Sequence, residues 1–188
     1  MITKDTLLDL YIDKGMTDLE IAKFFNVDRT FIVHKRKEFG IVKESLHEQV
    51  IPIVEQCLKK RGHIVKYLKE HNKTYNIDFL VDGEIRVKVM TSSGSEDGRY
   101  LFTLTSQEKH KNIESINRIQ LKNGRFRTLY RNICDFIIFV GVKNNDYFYW
   151  IVPSSDINDK LQTVATRTNL ENKYYKYFES WDLIKKKL

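Results

Sequence analysis

Cysteine is scarce, and no pattern in the chain uses it. Cys57 and Cys134 are the two cysteines in 188 residues, both in apolar surroundings and neither in a CxxC or Cys/His spacing. That excludes a zinc site and a disulfide framework as organising features, and the thiols read as buried in a reducing compartment. Long hydrophobic runs are missing too. The longest, "FIIFVGV" at 136–142, falls far short of the ~20 residues that span a bilayer, so no membrane partner is expected. Asp5 and Asp9 interrupt the amino-terminal segment, so no signal peptide is expected and the location is read as cytoplasmic. There is no glycine-rich linker, internal repeat or low-complexity tract.

What is present supports a packed protein with an anionic partner. The composition is 41% hydrophobic and 12% aromatic, enough to exclude wholesale disorder. At this length the chain suits one ordinary domain or a small module joined to a medium one. Net charge is +7 with a pI near 9.2. Nucleic acid is the commonest partner of such a protein.

Three short helices are predicted in the first forty-four residues. "ITKDTLLDLYIDKG" places Leu7, Leu8, Leu10 and Tyr11 at helical spacing and stops at Gly15. Thr17 and Glu20 stand in capping-box register, so a second helix starts at 18. A third runs between Asp28 as N-cap and Gly40 just past its end. The segment "TDLEIAKFFNVDRTFIVHKRKEFGI" resembles the helix-turn-helix family of bacterial and phage DNA-binding proteins. The resemblance implies that the last helix enters the major groove. Ile21, Phe24, Phe25, Ile32 and Phe39 would pack, while Arg29, Thr30, Val33, His34 and Lys37 would face bases and phosphates. His34, alone on a basic helix, reads as a phosphate contact or a solvated residue rather than a ligand.

Residues 45–188 form the second expected domain. A helix is predicted at about 46–61, with Val50, Ile53, Val54, Cys57 and Leu58 on its apolar face. "HIVKYLKE" reads as a strand. A hairpin of strands at 75–82 and 84–91 turns at Asp82-Gly83. "YLFTL" is a further strand. Residues 107–133 are polar and basic and read as helix or loop. "CDFIIFVGV" is a buried strand paired through "KNND" with "YFYWIVP". Short helices are expected in "SDINDKL" and "ESWDLIKKKL". This order predicts α+β or α/β architecture.

"VEQCLKKRGHIV", "NIDFLVDG", "IRVKVMTSS" and "RNICDFIIFVGVKNNDYFYWIVPSS", in that order, resemble the PD-(D/E)XK, or restriction-endonuclease-like, superfamily. The resemblance implies an α+β fold, an α/β-type central mixed sheet flanked by helices, preceded by the small all-α helix-turn-helix domain. It also implies magnesium-dependent DNA cleavage. Asp78 matches the family's metal-binding aspartate, with Ile77 where proline is frequent. Lys88 stands in the place of the second carboxylate and Met90 in that of the catalytic lysine, while Thr91 and Ser92 fit the usual continuation. A second register makes Arg86-Val87-Lys88 the motif and Lys88 the catalytic lysine, still without the carboxylate. Glu84 on the same strand face, or Glu55 on the preceding helix, would have to replace it.

Physical chemistry opposes a metal at this point. Magnesium is held by one or two carboxylates with water and phosphate oxygens. An ammonium about 4 Å away would repel it by about 8 kcal/mol at an effective dielectric of about 20, twice the single-charge value. Met90 has no donor for a scissile phosphate. Asp78 and Lys88 are expected to pair, leaving an Arg86-Lys88 surface able to hold a phosphate without cutting it. The expected protein is a sequence-specific double-stranded DNA-binding protein of restriction or phage type, with degenerate cleavage and no cofactor. The rival is an active endonuclease using Mg2+, Asp78 with Glu84 or Glu55, and Lys88. A weaker rival is a protein-interaction module, a homodimer through "YFYWI".

Overall fold

The structure is a computed structural model describing residues 2–42, 44–68, 77–106 and 116–185. The chain forms two compact units, Met1–Ser45 and Leu46–Leu188. In the first, α1 (Lys4–Leu8) is capped by Thr3, whose hydroxyl accepts the Thr6 N–H, and continues as a π-helical turn over Asp9–Asp13. The single helix expected up to Gly15 therefore changes type half-way. α2 (Asp18–Phe25) opens on a reciprocal box. The Thr17 hydroxyl accepts the Glu20 N–H at 3.3 Å, and the Glu20 carboxylate accepts the Thr17 N–H at 2.7 Å. It ends at Asn26, in the left-handed region. α3 (Arg29–Glu38) is capped by Asp28, which accepts the Thr30 N–H, and Gly40 follows at φ +66°.

Leu7, Leu10, Ile21, Ala22, Ile32 and Ile41 form the core of this unit, with Phe25 and Phe39 against it. Phe24, expected inside, is 67% exposed. At 100° per residue Ile21, Ala22 and Phe25 share one stripe, and Phe24 falls about 110° from its centre. Arg36 ties the start of α2 to α3 and the chain after it. Its Nε and Nη2 donate to the two Asp18 oxygens at 2.5 and 2.7 Å, and Nη1 donates to the Ile41 carbonyl at 3.1 Å. Its plane lies 4.0 Å over the Tyr11 ring. The bond to Asp18 raises the pKa of Arg36 further, against the opposing effect of burial.

The second unit begins with α4 (Leu46–Lys60), which buries Val50, Ile51, Val54 and Leu58 and keeps Pro52 on its exposed side. Among the described residues ten strands follow: β1 (Val65–Tyr67), β2 (Phe79–Val81), β3 (Ile85–Ser93), β4 (Tyr100–Thr103), β5 (Thr105–Ser106), β6 (Arg118–Gln120), β7 (Phe126–Thr128), β8 (Phe136–Lys143), β9 (Asp146–Pro153) and β10 (Thr163–Thr166), with α5 (Tyr130–Ile133) before β8. The main sheet has the order β1-β2-β3-β8-β9, with β4–β10 and β5-β7-β6 as satellites. The main sheet is mixed: β3 and β8 run parallel, and the other neighbours antiparallel. The fold is α+β.

One face of this sheet, through Val87, Val89, Ile138 and Ile151, packs with α4. The opposite face, through Ile137, Phe139, Trp150 and Val152, packs with Phe102, Tyr130 and Val164. Gly141 admits β4 to this second layer, because a Cβ there would stand 2.5 Å from the Tyr100 ring. Among the described residues no helix is long and apolar enough to cross a membrane.

Several elements differ from expectation. β2 is three residues long, with Asp78 just before it, and residues 75–76 of the expected strand lie outside the described residues. "SDINDKL" contributes a 3-10 turn at Ser154–Asp156 rather than a helix. "ESWDLIKKKL" likewise yields one 3-10 turn, Trp181–Leu183, with 186–188 outside the described residues. Trp181 and Ile184 are both buried, so two anchors in the core suffice without a longer helix. In the 107–133 segment, 107–115 lie outside the described residues and the remainder forms β6, β7 and α5.

The Asp18–Arg36 pair is largely buried, with 12% and 14% of the side chains exposed. Asp18→Ala strands a guanidinium in the first unit and should destabilise that unit by about 3 kcal/mol, the cost of breaking a buried pair. Hydrogen exchange of the α2 and α3 amides reads this directly. Unchanged protection would show the pair to be dispensable.

Candidate functional site

The tight turn at Asp82-Gly83, with φ of 53° and 83°, sets the β2–β3 register. Phe79 stands opposite Val87, and one residue earlier the Asp78 N–H donates to the Val87 carbonyl at 2.9 Å. Alternation then turns Asp78 and Lys88 to the face opposite Phe79 and Val87. The Asp78 carboxylate is engaged three ways. Its Oδ2 accepts the Val89 N–H at 2.7 Å and lies 3.1 Å from Lys88 Nζ. Its Oδ1 is 3.1 Å from His47 Nε2, in the first turn of α4.

Only 10% of the Asp78 side chain and 12% of the Lys88 side chain are exposed. Burial by itself raises the pKa of Asp78. The His47 hydrogen bond, the Lys88 charge and the Val89 N–H together outweigh it, and the pKa falls below the ordinary 3.8. The result is a neutralised, hydrogen-bonded carboxylate. Nearby, burial pushes the Cys134 thiol up to about 12, which leaves it inert as a nucleophile.

The other candidate residues are placed differently. Met90 is half-buried and packs into the core beside Phe139, its register partner on β8. The Arg86 N–H and Nε donate to Asp135 Oδ2 at 2.8 and 3.2 Å. Glu84 sits exposed at the hairpin turn, four residues and about 13 Å along the strand from Lys88. Glu55 pairs with Lys59 at 2.6 Å, eight residues and about 12 Å along α4 from His47. Asp78 and Lys88 are thus brought together, and neither glutamate is brought to them. Among the described residues no group of three or more His, Cys, Asp or Glu side chains is arranged to hold a metal ion.

Two participants escaped the sequence reasoning. His47 shares the buried stripe of α4 with Val50, Ile51 and Val54, and a polar residue on such a stripe is a signal of a partner. Asp135, directly before a buried strand, offered only its carboxylate next to an apolar run.

In the first unit Arg29, Thr30, His34 and Lys37 are exposed on α3, and Val33 is half-buried. The Thr30 hydroxyl is engaged with Asp28 at 2.5 Å, so it serves the cap as well as the surface. Arg36, neighbouring this face in sequence, is committed to Asp18.

No protein-family model and no curated protein sequence matches the chain. Among solved structures, that of a bacterial homing endonuclease, I-Ssp6803I, is similar with a TM-score of 0.52 at 13% sequence identity. The match covers 72% of this chain and 87% of that one. At such identity the likeness is one of fold: the chain shares a nuclease-like α+β fold.

Asp78→Asn removes the carboxylate charge from the buried Asp78–Lys88 pair and should cost about 3 kcal/mol at neutral pH. The sign with pH follows from the lowered carboxyl pKa. Its stabilisation is complete above the ordinary 3.8 and is lost as pH falls through the lower folded value. Denaturation of both proteins along an acid series should show the difference shrinking below about pH 4. A difference that grows on acidification would contradict the assigned direction.

Proposed function

We propose that the protein binds a specific double-stranded DNA site, and that residues 45–188 form a PD-(D/E)XK-type domain with a degenerate cleavage centre. The observation that carries this is the environment of Asp78. Its two oxygens are engaged by His47, Lys88 and the Val89 N–H. The donor set does not fit magnesium: one carboxylate already paired with an ammonium is a poor ligand set for a hard dication. Met90, packed into the core, supplies neither a hydrogen bond nor charge to a phosphate in flight. The likeness of fold to a homing endonuclease and the net charge of +7 support DNA as the ligand.

In this proposal residues 1–44 are the reader. α2 and α3 act as a helix-turn-helix, and α3 lies in the major groove with Arg29, Thr30, Val33, His34 and Lys37 towards the duplex. Arg86, 40% exposed beside Asp135, offers a phosphate contact on the second unit.

Arg29→Ala or Lys37→Ala should weaken binding to a selected duplex by about 1–3 kcal/mol where the lost contact is to a base edge. Unchanged affinity of a fragment lacking residues 1–44 would remove the reader from the proposal.

For the cleavage centre, the unaltered protein should leave plasmid DNA intact in magnesium and manganese. Lys88→Glu with Met90→Lys should restore ligand and ammonium together, because residues two apart share a strand face. Either single change should do little, since ligand and charge stabiliser act as a unit. Nicking by the double variant, lost again with Asp78→Ala, is the expected result. A folded, DNA-binding double variant that never cuts would oppose a degenerate centre. Magnesium-dependent cutting by the unaltered chain would favour an active nuclease using Glu84 or Glu55.

A further inference from the structure

The segment between Ile116 and Cys134 carries five arginines and lysines and no Asp or Glu. Three of the five are engaged within the protein, Arg118 among them. Arg131 pairs with Asp159. Arg127 is wholly buried, and its guanidinium donates to backbone carbonyls: Leu161 at 2.7 Å, Asn158 at 3.5 Å, and Thr128. Such a desolvated cation, bonded to carbonyls, serves to fasten the β6–β7 ribbon, the part of the β5-β7-β6 sheet that ends in the turn at 121–125. Asn123, in the connecting turn, adds a second fastening by donating to the Gln162 side chain at 2.9 Å. The ribbon is held at its base and at its turn against the loop of residues 158–162.

Lys122 and Arg125 flank the tip of this ribbon. Both are exposed, and neither has a carboxylate partner among the described residues. Gln120 is exposed beside them. Tyr130, two residues after β7, is buried in the same core cluster as Ile77 and Met90, with Arg127 5.3 Å from its ring. Burial raises the pKa of Tyr130, and its phenol lies within electrostatic reach of both Arg127 and Asp78.

We propose that the β6–β7 turn, at the edge of the β5-β7-β6 sheet, is a second double-stranded DNA contact, with Lys122 and Arg125 on flanking phosphates. It rests on the DNA-binding reading above. A cationic turn whose own segment, Ile116 to Cys134, holds no acid suits a polyanion. Gln120 is of the type that pairs bidentately with adenine. A ribbon fastened at both ends presents these groups at low ordering cost.

The test uses the full chain and a fluorescein-labelled duplex selected for binding to the unaltered protein, followed by anisotropy over a range of sodium chloride. Lys122→Ala with Arg125→Ala should lower affinity about tenfold or more. The log–log salt dependence should become shallower by about 1.8, two phosphate contacts at about 0.9 each. Lys60→Ala with Lys66→Ala removes the same charge from exposed positions at the end of α4 and on β1, and should change the slope much less. Unchanged affinity and slope in the ribbon variant would overturn the ribbon contact while leaving DNA binding standing. Equal losses in both double variants would also overturn it, by reducing the effect to net charge. Failure of the unaltered protein to bind any duplex would instead bring down the reading on which the ribbon rests.

Discussion

The second unit depends on one pairing, the parallel run of β3 beside β8. Seven residues of each strand are in register, from Val87 opposite Phe136 to Ser93 opposite Val142. Parallel neighbours cannot be joined by a tight turn and require a long crossover. Here that crossover, residues 94–135, carries β4 to β7 and α5. Buried on both faces, the two strands divide the apolar residues into separate layers, one with α4 and one with the satellite sheets. Asp135 closes the start of the pairing: its N–H donates to the Arg86 carbonyl, and its carboxylate accepts the Arg86 N–H, both at 2.8 Å. Everything that surrounds Asp78 is hung from this seam.

The Asp78 group shows what keeps an ionised carboxylate inside a protein. An ionised oxygen pair removed from water needs opposite charge and hydrogen bonds to persist. Lys88 supplies the first, while Val89 and His47 supply the second. On the proposed reading, loss of the second carboxylate left a charge to be neutralised, and the lysine at that position performs the neutralisation. On the same reading, phosphate contacts fall to arginines and lysines that remain exposed to solvent, on α3 and at the β6–β7 turn.

Much of the fold was legible because its signals are local. The Thr17–Glu20 box, the Asp28 cap, the Asp82-Gly83 turn and the alternation of Ile85, Val87 and Val89 lie within a few residues of their effects. The hairpin through Asn144 and Asn145, both at positive φ, was readable for the same reason. The short strands were not. β5, β6, β7 and β10 span two to four residues and mix polar with apolar side chains, so no period develops. Their existence depends on partners supplied by the crossover. The candidate site divides along the same line. Asp78 opposite Lys88 follows from hairpin register, whereas the approach of His47, 31 residues away in sequence, depends on how α4 packs against the sheet. The terminal segment misled for another reason: an amphipathic pattern is satisfied equally by a helix or by two buried anchors, and here Trp181 and Ile184 act as anchors.

The contact between Tyr100 and Gly141 has a consequence for descent. The ring occupies the volume that a side chain at 141 would need, with the nearest approach of 2.5 Å measured from an atom of a rigid aromatic plane. Neither position can enlarge while the other stays as it is. In divergent sequences that keep this layer, a larger residue at 141 must accompany a smaller one at 100. The two sites should therefore covary, linking the crossover to the seam even where the residues around Asp78 have drifted beyond recognition.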